Sequence, residues 1–420
     1  MDDTPAPRRL YLDNAATSFP KPPGVLQAMR RYATELGASP GRGGYAEAQE
    51  TGRLFDQCRS RINTLIGGEN ANHVVFTLNA SDALNLAIKG VVFHALASGR
   101  KHVVTTHADH NSVLRPFNEL VEHHGLQQTR VPCDASGYVD PADIAAAIRP
   151  ETCLVAVVHG SNVTGAMQPV AQIGSICREH AVPLLVDAAQ TLGHAPLDVQ
   201  RDGIDLLAAP GHKGLLGPLG TGFLYIRPGL ERQMRTLREG GTGSRSDLDT
   251  QPTFLPDRFE PGSQNAIGIV GLSEGVAYVL DRGVDALWDH QQQLIRQMLD
   301  GLAGGWAGHV DPAIAMPGLT AFGPKGVANR CGVFSFRIDG LEPAEVSNRL
   351  ETEYGILSRS GVHCAPLAHE ALGTRWIGGT TRLSAGPFTT LQDVKYAADA
   401  VSQLCEDAAR NADKTQGVTA

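Results

Sequence analysis

Two apolar stretches of this chain end in groups that a buried strand has no structural use for. Leu184-Leu185-Val186 runs into Asp187, and Ile204 to Ala209 runs through Pro210-Gly211-His212 into Lys213, 26 residues later. A carboxylate is rarely buried without a partner. Asp187 is therefore either a surface group or helix cap just past a strand, or a carboxylate held against a cationic ring nitrogen. A lysine inside the glycine-rich turn GHKGLLGPLGTG, close to low-dielectric surroundings, loses its proton readily and forms a Schiff base. At successive strand ends the two side chains reach opposite sides of one ring, and a protonated pyridine serves as an electron sink. That is pyridoxal-phosphate (PLP) chemistry.

A third reactive group is Cys364. The seven cysteines are Cys58, Cys133, Cys153, Cys177, Cys331, Cys364 and Cys405, with no CxxC pair, so neither a zinc ribbon nor a disulfide framework is expected. Six lie in apolar or helical settings. Cys364 lies in SRSGVHCAPLAHE, with Arg359 and His363 nearby. Cations there favour the thiolate, which is the nucleophilic form. On sequence chemistry alone a loop cysteine of no consequence is the equal alternative. The HxxH at 107–110 lacks a third metal ligand.

The elements that must position these groups are readable as an alternation. Apolar runs at 73–78, 102–107, 153–160, 182–190, 204–213 and 221–228 read as six strands separated by helical segments. Strands apolar throughout indicate a mainly parallel sheet covered on both faces, an α/β fold whose site collects at the carboxyl ends of the strands. Residues 1–24 read as an irregular arm in which Pro20, Pro22 and Pro23 exclude a helix. Helical spacing covers 25–36 and 45–66, with a loop at Pro40 to Gly44 between them. One long helix is expected from about Ile267 through Trp288 toward Leu302, then Gly- and Pro-rich sequence at 304–332, a strand at GVFSFRI, a helix near 343–354 and a last helix after Leu391, frayed beyond Ala408. The expected division is an arm at 1–24, a large domain at 25–266 and a small domain at 267–420 carrying the Cys364 loop.

The 420 residues, 42% hydrophobic and 19% charged, suffice for two domains. A net charge of −8 gives no reason to expect nucleic acid or an anionic membrane as partner. No apolar run approaches the ~20 residues of a membrane span, and the polar MDDTPAPRRL is no signal peptide. A cytoplasmic location is expected.

Taken together and in order, YLDNAATSFPKP, HGSNVTG (159–165), VDAAQTLGH (186–194), GHKGLLGP (211–218), RFEPGSQN (258–265) and RSGVHCA (359–365) resemble the motifs of the class V aminotransferase family. Within it they resemble the cysteine desulfurases, and among these the second desulfurase group. The resemblance implies a fold-type I PLP-dependent transferase with a mainly parallel seven-stranded sheet, working as a homodimer on L-cysteine or a similar small amino acid, with a protein sulfur acceptor as a further partner. Residue by residue, Lys213 resembles the Schiff-base lysine and Asp187 the partner of the pyridine nitrogen. Gln190 resembles the donor to the ring's phenolic oxygen, and His110 the imidazole stacked on the ring and able to assist proton transfer. Ala80, Ser81 and His212 fall at phosphate-binding positions, and Ser263 resembles the residue that reaches the partner subunit's phosphate. Asn162 matches a polar contact to cofactor and substrate, Arg359 and Arg382 the substrate-carboxylate clamps, and Cys364 the persulfide cysteine. The alternative is another class V reaction: transamination, selenocysteine lysis or β-elimination of cysteine. The chain departs from the family pattern at Pro210 and Ala80, where phosphate-binding hydroxyls are common, at Val362, where the second group has a first histidine, and at GPFTT (386–390).

Overall fold

The computed structural model describes residues 9–40, 43–303, 316 and 318–417, with side chains to residue 412. Most of the polar N-terminal segment, Gly41 and Arg42 of the expected loop, and most of the Gly- and Pro-rich stretch after residue 303 lie outside the described residues.

The arm is not irregular throughout: it contributes β1 (Leu10–Tyr11). Seven strands then form one sheet: β2 (Val74–Thr77), β3 (His102–Thr106), β4 (Gln127–Val131), β5 (Thr152–Val158), β6 (Leu184–Asp187), β7 (Leu206–Pro210) and β8 (Gly222–Ile226), in the spatial order β2-β8-β7-β6-β5-β3-β4. Only β8 runs against its neighbours. Side chains of one strand feed two separate cores. Val74 and Phe76 enter one cluster and Val75 the other, and Leu184 and Val186 part from Leu185 in the same way. Both faces are therefore covered, which is why these strands read as unbroken apolar runs.

The seventh strand, β4, had no such signal. Its sequence QQTRV is mostly polar because it sits on the sheet edge and pairs only with β3.

A second, antiparallel sheet contains β9 (Leu319–Phe322), β10 (Val333–Ile338), β12 (Arg359–Gly361) and β13 (Thr380–Ser384), while β11 (Ile356–Leu357) pairs in parallel with β1. Leu10 and Leu12 are thereby buried in the same core as Phe334, Phe336, Leu383 and Val401. The helices at Pro23–Arg31, Ala46–Leu65 and Pro343–Tyr354 match the sequence reading. Pro23 stands at the first helical position, where a missing N–H costs nothing, so the exclusion of helix ends at Pro22. The long helix expected after Ile267 is two, Ala266–Arg282 and Val284–Gly301, broken at Gly283 with φ 78°. The last helix, Leu391–Gly417, runs past Ala408 instead of fraying there. Among the described residues no helix is long and apolar enough to cross a membrane.

Candidate active site

Five strands deliver the site. At or just beyond the carboxyl ends of β2, β3, β5, β6 and β7 stand Ala80 and Ser81, His110, Asn162, Asp187 with Gln190, and His212 with Lys213. All of them line one cavity, together with Asn79, Ser112, Gly160 and Pro210. Lys213 is half-buried, and desolvation pushes its amine down to about 8 against the opposing pull of Asp187. Asp187 is buried too. Desolvation raises its carboxyl, while the Ala189 N–H, 3.0 Å from Oδ1, and the Lys213 charge lower it. An amine that gives up its proton more readily than a free lysine and a buried carboxyl group thus line the same cavity.

His110 caps the helix Asn111–His124, with its Nδ1 accepting the Ser112 N–H at 3.1 Å. A backbone N–H can only donate, so the ring carries its proton on Nε2. Burial, then the Lys213 and arginine charges, hold it down to about 4, so it is neutral at working pH. His110 thus caps a helix and lines the cavity at once. Its position is fixed by a residue the sequence reading passed over. Asp109, wholly buried, accepts from Thr105 Oγ1 at 2.6 Å, Thr106 N at 2.7 Å and Val158 N at 2.7 Å. It ties the end of β3 to the end of β5.

The helix Ala80–Leu96 opens on Asn79, whose side chain accepts the Asp82 N–H at 3.0 Å. The Ala83 N–H returns to the Asn79 carbonyl. The N–H groups of Ala80 and Ser81 stay available to an anion at the positive helix end. His212 Nδ1 is buried with no hydrogen-bond partner. Gln190 gives one amide proton to the Ala15 carbonyl at 3.0 Å and retains a second. Free N–H groups at a helix N-terminus, an unpartnered imidazole nitrogen, a lysine and a buried carboxyl group lining one cavity fit PLP in charge and in donor set.

Cys364 is the one exposed cysteine of the seven. Its carbonyl accepts the Asn111 N–H at 2.8 Å, and the preceding His363 carbonyl accepts Asn162 Nδ2 at 2.6 Å. The loop is therefore fastened to the cavity rim, and Asn162 spends a donor on that loop. His363 and Cys364 both adopt left-handed backbone, φ 47° and 58°. Two consecutive non-glycine residues there store strain that the two hydrogen bonds must hold. Burial and the Arg382 charge push His363 down to about 2, so it supplies no cation to the thiol. The sequence expectation for His363 fails on that count. Arg382 lies near enough for its guanidinium to feel the Cys364 sulfur, the weakest of several influences on that arginine.

Arg359 and Arg382 face each other across β12 and β13. Arg359 is exposed, whereas Arg382 is 2% exposed and already engaged: Nη2 donates to Asp13 Oδ1 at 2.8 Å and Nη1 to the Asn162 carbonyl at 3.0 Å. Asp13, in the arm, was not singled out from the sequence; its role depends on a contact 369 residues away. Ser263 is exposed and lies outside the cavity of its own chain.

Comparison with known proteins agrees with this geometry. The class-V aminotransferase family profile matches residues 10–397. Proteins named probable cysteine desulfurase from Methanothermobacter thermautotrophicus and Pyrococcus abyssi are each 33% identical, over 94% of this chain and 94% of theirs. Among solved structures, the apo cysteine desulfurase of Thermococcus onnurineus NA1 superposes with a TM-score of 0.85 at 30% identity, covering 95% of both chains. The Escherichia coli cysteine desulfurase CsdA gives 0.80 at 26%, covering 94% of both. With its seven-stranded sheet, its strand-end lysine and carboxylate, and this profile over nearly its whole length, the chain belongs to the class V aminotransferase family.

Proposed function

We propose that this chain is a PLP-dependent cysteine desulfurase, converting L-cysteine to L-alanine and carrying the removed sulfur on Cys364 as a persulfide. One observation carries the reading: the cavity that joins Lys213 to Asp187 has the only exposed cysteine fastened to its rim. Transamination would use the cavity but has no need of that cysteine.

Lys213, Asp187, Gln190 and His110 would hold the ring, and the Ala80 and Ser81 N–H groups with Ser81 Oγ and His212 the phosphate. When bound, PLP supplies a delocalised sink for the electron pair left on the substrate's α-carbon. Asp187 would keep a proton on the ring nitrogen. Arg359 and Arg382 orient the substrate's carboxylate, the exposed guanidinium meeting it first. Lys213, as a neutral amine, takes the α-proton. The Cys364 thiolate attacks the substrate's sulfur: the S–S bond forms as the C–S bond breaks, and the carbon keeps the electron pair. One proton goes to that β-carbon, another returns to the α-carbon, and alanine leaves. A thiol then reduces the Cys364 persulfide and releases sulfide, or an acceptor protein takes the sulfur. We read the active species as a homodimer in which Ser263 completes the neighbouring phosphate site, with arm, large domain and small domain at 1–24, 25–266 and 267–420.

The test of the cofactor assignment is borohydride reduction of the purified protein followed by peptide mapping. The label is expected on Lys213, and Lys213→Ala should lose the visible absorbance together with turnover, by at least about 10²–10⁴-fold. A label on another lysine would overturn the assignment.

A further inference from the structure

The phosphate end of the cavity is short of donors. Ala80 carries no hydroxyl, and Pro210, the last residue of β7, has neither hydroxyl nor N–H. Yet one more hydroxyl faces the same space. Ser112 lines the cavity and stands on the first turn of the helix Asn111–His124, so its hydroxyl joins a second positive helix end to that of Ala80–Leu96. Its Oγ lies 2.6 Å from Ser81 Oγ and 3.0 Å from His110 Nδ1.

Two proton arrangements are open to this trio. In one, Ser81 donates to Ser112 and Ser112 to His110 Nδ1, which turns Ser81's lone pairs toward the phosphate. In the other, Ser112 donates to Ser81 Oγ and frees the Ser81 O–H for the anion. His110 Nδ1 already accepts the Ser112 backbone N–H, so it loses little in the second arrangement. A phosphate selects that arrangement, because a hydrogen bond to an anion is roughly twice as strong as a neutral one. We propose that Ser112 is a positioning residue of the phosphate site: it donates to Ser81 Oγ, turns the Ser81 O–H onto the cofactor's phosphate, and so offsets the hydroxyls missing at positions 80 and 210. The inference rests on the PLP reading of the cavity. It assigns Ser112 no part in proton transfer at the substrate, and it leaves the Nε2–H form of His110 unchanged.

The experiment compares equilibrium binding of PLP and of pyridoxal, which lacks the phosphate, to cofactor-stripped protein, followed by visible absorbance. Ser112→Ala should weaken PLP by up to about tenfold, because the Ser81 O–H is no longer held on the phosphate and its hydrogen bond to that charged group is lost in part or whole. Ser112→Thr, which keeps a hydroxyl, should stay near wild type. Ser81→Ala with Ser112→Ala should bind PLP no more weakly than Ser81→Ala alone, since Ser112 acts through Ser81. Pyridoxal affinity should be the same in all of these proteins. Undiminished PLP binding by Ser112→Ala overturns the inference. So does an equal loss of PLP and pyridoxal, which would make Ser112 a support of the ring site, and so does additivity in the double variant. Failure of the wild-type protein to bind PLP at Lys213 would overturn the cofactor reading itself, an outcome visible before any variant is compared.

Discussion

Lys213 can act as nucleophile and base only after it has lost its proton, and the cavity arranges this by excluding water. Burial outweighs the Asp187 attraction and brings the amine from 10.5 to about 8. The sign follows directly: protonation is disfavoured in the folded protein, so the reactive neutral fraction rises with pH and saturates above about 8 rather than above 10.5. The rate at which cofactor-stripped protein takes up PLP should show that profile when followed by stopped-flow absorbance. A rate still climbing steeply at pH 10 would contradict it. At this scale the sequence was most informative where a charged residue interrupts an apolar run. Asp187 and Lys213 stand out because nothing in strand packing explains them. Asp109, Asp13 and Ser112 did not stand out. Asp109 and Ser112 stand on either side of His110 where β3 gives way to the next helix, and Asp13 matters only because folding brings it to Arg382. His363 shows the converse: proximity in sequence to Cys364 suggested a cation, and burial leaves the ring neutral.

The elements hold those residues at close backbone quarters. After β6 the chain turns at Gly193, φ 84°, where an added Cβ would lie 2.4 Å from the Gly214 carbonyl oxygen, directly after Lys213. Gly193→Ala must therefore move the Lys213 turn or strain its own backbone. We expect a loss of about 2–4 kcal/mol in denaturant unfolding from left-handed strain plus overpacking, with weaker PLP retention. Unfolding midpoint and cofactor retention both unchanged would show that the turn yields freely. The six apolar strands and most helices were legible because burial on both sheet faces writes itself into composition. The polar edge strand β4 carries no such mark. Nor does β1, two residues long, whose reason for being a strand is its pairing with β11 near the other end of the chain. The break at Gly283 was hidden because the apolar spacing continues across it on both sides.

Across the whole molecule, the site draws on distant parts of the chain: the arm through Asp13 and Ala15, the large sheet through Lys213 and Asp187, and the second sheet through Arg382 and the Cys364 loop. Ser263 stays outside its own cavity, which is the position expected of a residue that serves a neighbour. Mixing Lys213→Ala and Ser263→Ala chains under exchange conditions tests this. A hybrid dimer in which Ser263 acts across the interface contains one complete site, so activity should rise well above that of either variant alone. No recovery in a verified hybrid would confine Ser263 to its own chain or leave it without a role. Such long-range assembly is not written in any local pattern, and only the ordered set of motifs along the chain foreshadowed it. The central claim remains sulfur transfer to Cys364, and its most direct measurement is the joint yield of sulfide and alanine from L-cysteine with a thiol reductant. Wild-type protein should release the two in equal amounts, and Cys364→Ala should release neither while keeping the cofactor's visible absorbance. Undiminished desulfuration by Cys364→Ala, or pyruvate in place of alanine from the wild type, would contradict the account.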